Sequence, residues 1–124
     1  MTGKVVFGSA PDRPLSHAVR AGDFVYVSGQ VPTDASGSIV AGGFEAQLRQ
    51  VLDNIKAALA LAGAGMDQVV KTTCYLEDAR DFPPFNKVYS SYFPKEPPAR
   101  TTVEARLMAN ILVEIDAIAY APQR

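Results

Sequence analysis

Arg100 follows the run Pro97-Pro98-Ala99. Two successive prolines restrict φ and stiffen the approach, so the point where the next strand begins is set. A guanidinium held there offers a planar fork of N–H donors suited to a carboxylate. Strand alternation places Arg100, Thr102, Glu104 and Arg106 on one face, with Thr101, Val103, Ala105 and Leu107 on the other. Further on, Glu114 and Asp116 sit in mid-strand on a face shared with Leu112, Ile118 and Tyr120. Ile111, Val113, Ile115, Ala117 and Ala119 take the opposite face. If residues 100–107 and 111–120 pair as a hairpin across Met108-Ala109-Asn110, a cation and two carboxylates lie side by side. Arg–Glu pairs on a solvated sheet face contribute little, and pattern alone favours that plain reading. The stiff approach is what sets Arg100 apart.

Ser28-Gly29 closes another strand, and a glycine there permits close approach of a ligand or a second backbone. Alone, the pair reads as a strand-ending turn. Asn86 falls in the first turns of a predicted helix beside aromatic residues, where an exposed helix position is an equal reading. Cys74 alternates with Thr72 and Leu76 and reads as core. His17 reads as structural, and Asp12 to Pro14 as turn chemistry. One cysteine and one histidine in the chain leave no internal disulfide and no CxxC site. They also argue against a histidine-based zinc centre or a Ser-His-Asp triad.

The elements that must position these residues follow from periodicity. Residues 4–8 predict a short strand, and 15–20 with 23–29 a hairpin turning at Ala21-Gly22-Asp23. A short strand is expected at 38–41. Phe44, Leu48, Val51, Ile55, Leu59 and Ala62 recur at spacings of three and four, which predicts a helix over 44–62 stopped by Gly63 and Gly65. Residues 69–77 predict a strand. Asp81 is the expected cap of a second helix running to Phe93, with Pro83 and Pro84 in its first turn. The order is two strands with an optional third, helix, strand, helix and two strands, an α+β class. Both helices can cover only one sheet face. Apolar residues of both parities in the strands therefore predict that another copy of the chain covers the other.

At 124 residues and 48% hydrophobic, the chain is expected to form one domain spanning 1–124 with a packed core. A net charge of −1 favours neither nucleic acid nor an anionic membrane as partner. The N-terminus lacks the pattern of a signal peptide, and no apolar run approaches the roughly 18 residues of a membrane span. A cytoplasmic location is expected.

Several segments, in order, resemble the Rid (YjgF) family. These are Val27 to Pro32, Gln47 with Leu52 to Ile55, Val70 to Thr73, Phe82 with Phe85-Asn86 and Tyr89, Pro98 to Val103, and Val113 to Ile115. The likeness covers nearly the whole chain, and Pro98-Ala99-Arg100 followed by Val113-Glu114-Ile115 is its most diagnostic part. It implies a chorismate-mutase-like α+β fold with two helices on one face of a mixed sheet. It implies a homotrimer with its sheets around a central axis and a cleft between each pair of subunits. The implied activity is hydrolysis of small 2-imino and 2-enamino acids to 2-keto acids and ammonia, with no metal or organic cofactor. By resemblance Arg100 binds the substrate carboxylate and Glu114 orients or activates water. Ser28, Gly29, Asn86 and Thr102 line the cleft. Two departures stand out. Leu15 occupies the place of a cleft tyrosine, and Thr102 that of a common cysteine. They keep a second reading open, a metabolite-binding or regulatory protein without turnover. A ribonuclease or translation inhibitor, also implied by some relatives, ranks last because no basic run is present.

Overall fold

The computed structural model describes residues 3–123. Strand β1 (Lys4–Phe7) pairs antiparallel with β2 (Ala18–Ala21), which pairs with β3 (Phe24–Gln30). Every side chain in Phe24 to Val27 is β-prone. The β2–β3 connection is a two-residue turn, and Gly22 supplies its left-handed φ of 60°. Helix α1 (Gly43–Leu61) follows, then β4 (Val69–Leu76), helix α2 (Phe82–Tyr92), β5 (Ala99–Glu104) and β6 (Val113–Tyr120). The six strands form one mixed sheet in the order β1-β2-β3-β6-β4-β5.

The expected hairpin of the last two strands does not form. β5 pairs parallel with β4, and β6 pairs antiparallel with the other side of β4. Parallel neighbours need a crossover, and α2 provides it between β4 and β5. Residues 105–112 then carry the chain past β4 into the middle of the sheet. Val113, Ile115, Ala117 and Ala119 explain that placement. All are buried, with exposures of 0–1%, which an edge strand could not provide. Both strands are also shorter than the alternation suggested.

α1 and α2 cover one face. Leu48, Val51, Leu52, Ile55 and Leu59 of α1 and Phe85, Val88 and Tyr89 of α2 pack onto Val25, Val27, Cys74, Leu76 and the odd-numbered residues of β6. The buried Arg20 ties three elements together. Its guanidinium donates to the carbonyls of Ala121 at 2.7 Å and Ala62 at 2.8 Å.

Three local expectations need correction. Residues 38–41 supply only an isolated bridge, Thr33 to Ile39. β2 begins at Ala18, because the segment before it runs irregularly past Pro11 and Pro14. Asp81 precedes α2 but its side chain caps nothing. The N–H groups it would accept from belong to Pro83 and Pro84, which have none. A 3-10 turn over Ala79–Asp81 leads into the helix instead. Asp78 accepts from Arg80 N there, and Glu104 from Ala79 N at 2.8 Å.

The uncovered face of the sheet is apolar over much of its area. Val6, Val19, Tyr26 and Ile118 form a row across four strands. Beside it the Phe24 and Tyr120 rings lie 5.3 Å apart. Among the described residues no helix is long and apolar enough to cross a membrane.

Candidate active site

Arg100 lies level with Thr72 of β4 and projects to the helix-covered side of the sheet. Its guanidinium carbon sits 5.5, 5.2 and 4.9 Å from the ring centres of Phe82, Phe85 and Tyr89. Helical spacing produces this platform, since residues 82, 85 and 89 fall on one face of α2. Tyr89 is locked by a 2.7 Å hydrogen bond between its hydroxyl and that of buried Thr72. Among the described residues no carboxylate pairs with Arg100. The ion pairs there are Arg49–Glu45 and Arg80–Asp78. The aromatic faces attract the cation and leave its edge N–H groups free for an anion.

Asn86 and Arg100 line one cleft of about 350 Å³, together with Tyr89, Ser90, Phe93, Pro97 and Pro98. Thr102 lines a separate hollow of about 200 Å³ with Phe82 and Val103. Its hydroxyl oxygen is buried and has no hydrogen-bond partner. Cys74, buried between these strands, is a core residue as expected. Burial pushes its thiol up to about 11, far from the thiolate a nucleophile requires.

Ser28, Gly29 and Glu114 gather on the opposite face of the sheet. The β3–β6 register shifts between Val27 and Gln30. This bulge carries Gly29 against Glu114, and a β-carbon at position 29 would collide with Glu114 Oε2. The Ser28 hydroxyl donates to Ser16 O at 2.5 Å, and its lone pairs can still accept. Burial raises the Glu114 pKa, and neighbouring Asp116 adds to the rise. Burial raises Asp116 too, opposed by hydrogen bonding from Tyr75 and by the Lys71 charge. Two half-buried carboxyls with raised pKa values therefore share one strand face.

Arg100 and Glu114 thus do not lie side by side as a hairpin would place them. β4 separates their strands, and they face opposite sides of the sheet. Within one chain the residues form two separate groups, Arg100 with Asn86 and Glu114 with Ser28 and Gly29. The sequence reading missed the aromatic platform that Phe82, Phe85 and Tyr89 form beneath Arg100. It also missed Tyr75, whose alternation with Cys74 could have placed it beside Glu114. Two larger hollows lie elsewhere and include none of these groups. One, of about 560 Å³, is lined by Arg13, His17 and Asp34 beside α1, and one of about 590 Å³ by Arg49 and Tyr92. His17 meets Arg13 at 3.4 Å there. Among the described residues no three of the His, Cys, Asp and Glu side chains gather as a metal site.

The fold and site together define an α+β protein with a six-stranded mixed sheet, two helices on one face and a free guanidinium at the start of an edge strand. Residues 7–121 match the model of the family described as endoribonuclease L-PSP, and the chain belongs to that family. It is 48% identical over 112 residues to a RutC family protein of Pyrococcus horikoshii, covering 89% of each chain. It is 39% identical over 112 residues, 89% of each chain, to the 3-aminoacrylate deaminase RutC of Acinetobacter baylyi. Among solved structures, RidA from an Antarctic Psychrobacter superposes with a TM-score of 0.84 at 37% identity, covering 90% of this chain and 91% of that one. The resemblance to Rid proteins read from the sequence is thereby established.

Proposed function

We propose that this protein hydrolyses small 2-imino and 2-enamino acids to 2-keto acids and ammonia at clefts between subunits of a homotrimer. The observation that carries the reading is the unpaired Arg100 guanidinium on its aromatic platform. It can anchor a substrate carboxylate and orient the adjacent imine carbon. That carbon is already electrophilic, so no covalent enzyme intermediate is needed. Water adds to it, the C–N bond breaks, and ammonia leaves. Glu114, with its raised pKa, accepts the proton of the attacking water and returns it to the leaving nitrogen.

A single copy cannot bring Arg100 and Glu114 to one substrate, because they face opposite sides of the sheet. A second copy docked on the open apolar face would place one chain's Glu114, Ser28 and Gly29 against its neighbour's Arg100 and Asn86. Three copies around an axis, in a chorismate-mutase-like assembly, would close all three clefts and cover Tyr26, Ile118 and Val103. The relative named 3-aminoacrylate deaminase supports the reaction class. The net charge of −1 supports neither nucleic acid nor an anionic membrane as a partner.

Leu15 and Thr102 favour a second reading, in which the same cleft binds a carboxylate metabolite without turnover. One experiment separates the two. Imines are generated with an amino-acid oxidase, and keto-acid release is followed with wild type and Arg100→Ala. Deamination predicts acceleration by wild type alone. Equal turnover by both proteins refutes the role of Arg100, and ligand-induced thermal shifts without hydrolysis favour the binder.

A further inference from the structure

We infer that the cleft beside Arg100 selects 2-imino acids with a bulky apolar side chain, an inference that rests on the deaminase reading above. The floor of the cleft is aromatic. Tyr89 and Phe93 are both buried, with ring centres 4.7 Å apart at an angle of 41°. Pro97 and Pro98 form a wall, and the polar groups besides Arg100 are Asn86 and Ser90 on α2. The Arg100 guanidinium lines the same cleft and lies over the Tyr89 ring, 4.9 Å from its centre. The wall is held in place at a cost. Glu96, just before the two prolines, adopts a φ of 46°, a left-handed conformation that disfavours a non-glycine residue. A cation beside a proline wall in one cleft matches a molecule with a carboxylate at one end and an apolar body at the other. A methyl side chain would leave the exposed proline wall wet. A branched or aromatic side chain would cover it and exclude water from the imine carbon. The chemistry stays hydrolytic: water adds at the imine carbon, ammonia leaves, and the side chain emerges unaltered in the 2-keto acid.

The test uses the reaction's products as probes. Pyruvate, 4-methyl-2-oxopentanoate and phenylpyruvate are titrated calorimetrically into wild type, Arg100→Ala and Ser90→Trp, with imine turnover measured in parallel. Wild type is expected to bind phenylpyruvate about 10-fold or more tighter than pyruvate, and Arg100→Ala to lose both. Ser90 is exposed, so a tryptophan there fills the cleft without disturbing the core. That variant is expected to weaken phenylpyruvate about 10-fold more than pyruvate. Pyruvate binding as tight as phenylpyruvate in wild type, and dependent on Arg100, overturns this inference and leaves the deaminase reading standing. A preference for the bulky acids with no turnover of any imine upholds the inference and overturns deamination. No Arg100-dependent binding of any of the three overturns both.

Discussion

Gly29 and Glu114 lie so close across the β3–β6 bulge that a side chain at position 29 would occupy the space of the Glu114 carboxylate. The clash falls on the end of a flexible side chain and not on backbone. A Gly29→Ala variant should therefore fold and melt nearly as wild type does, while its Glu114 carboxylate is displaced. Keto-acid formation is expected to fall by about 100-fold, the range for a misplaced general base. A variant with full activity would show that Glu114 does not need its place against Gly29.

The raised pKa of Glu114 has a definite consequence for stability. The folded protein holds that proton more tightly than the unfolded chain does. The resulting stabilisation is fully present below the ordinary carboxylate value of 4.5 and is lost as pH rises through the higher folded value. Melting temperatures of wild type and Glu114→Gln should differ most in favour of wild type at acid pH. That advantage should shrink as pH rises. The opposite slope would mean that the folded environment favours the ionised carboxylate. In turnover, a Glu114 base requires a rate that rises with pH through an inflection above 4.5.

Arg20 carries stability and no chemistry. Replacing it by Met would leave the carbonyls of Ala62 and Ala121 without their charged donor. A loss of about 2–4 kcal/mol in denaturant unfolding is expected. A change below about 0.5 kcal/mol would show that water replaces the guanidinium.

The open face supplies a test of assembly. Tyr26 is 44% exposed in a single chain and pairs across β3–β6 with Ile118. Tyr26→Glu leaves the core of the chain untouched but places a charge in the proposed contact between copies. Light scattering is expected to show a trimer for wild type and a monomer for the variant, with imine turnover lost together with the assembly. A variant that stays trimeric would remove this face from the contact.

Much of the fold was legible from local pattern. The α1 stripe of Phe44, Leu48, Val51, Ile55 and Leu59 and the β-prone run of Phe24 to Val27 appear where periodicity put them. Helix α2 does as well, although its cap was misread because Pro83 and Pro84 remove the donors. The alternation of β6 correctly separated Val113, Ile115 and Ala117 from Glu114 and Asp116. Strand pairing was not legible. Residues 99–104 and 113–120 are consecutive strands with a connection between them, which is the usual mark of a hairpin. The parallel choice depended on α2 filling the space between β4 and β5.

By itself the sequence determined which side chains share a face of each strand and helix, because backbone geometry repeats every two residues in one and every 3.6 in the other. It also determined that Arg100 would be presented by a stiff, proline-led segment. Only the tertiary structure decided which strands are neighbours, that Phe82, Phe85 and Tyr89 lie beneath Arg100, and that Glu114 faces away from it. Those relations depend on burying Val113 to Ala119 at the centre of the sheet, a free energy gathered from segments distant in the chain that no local window contains.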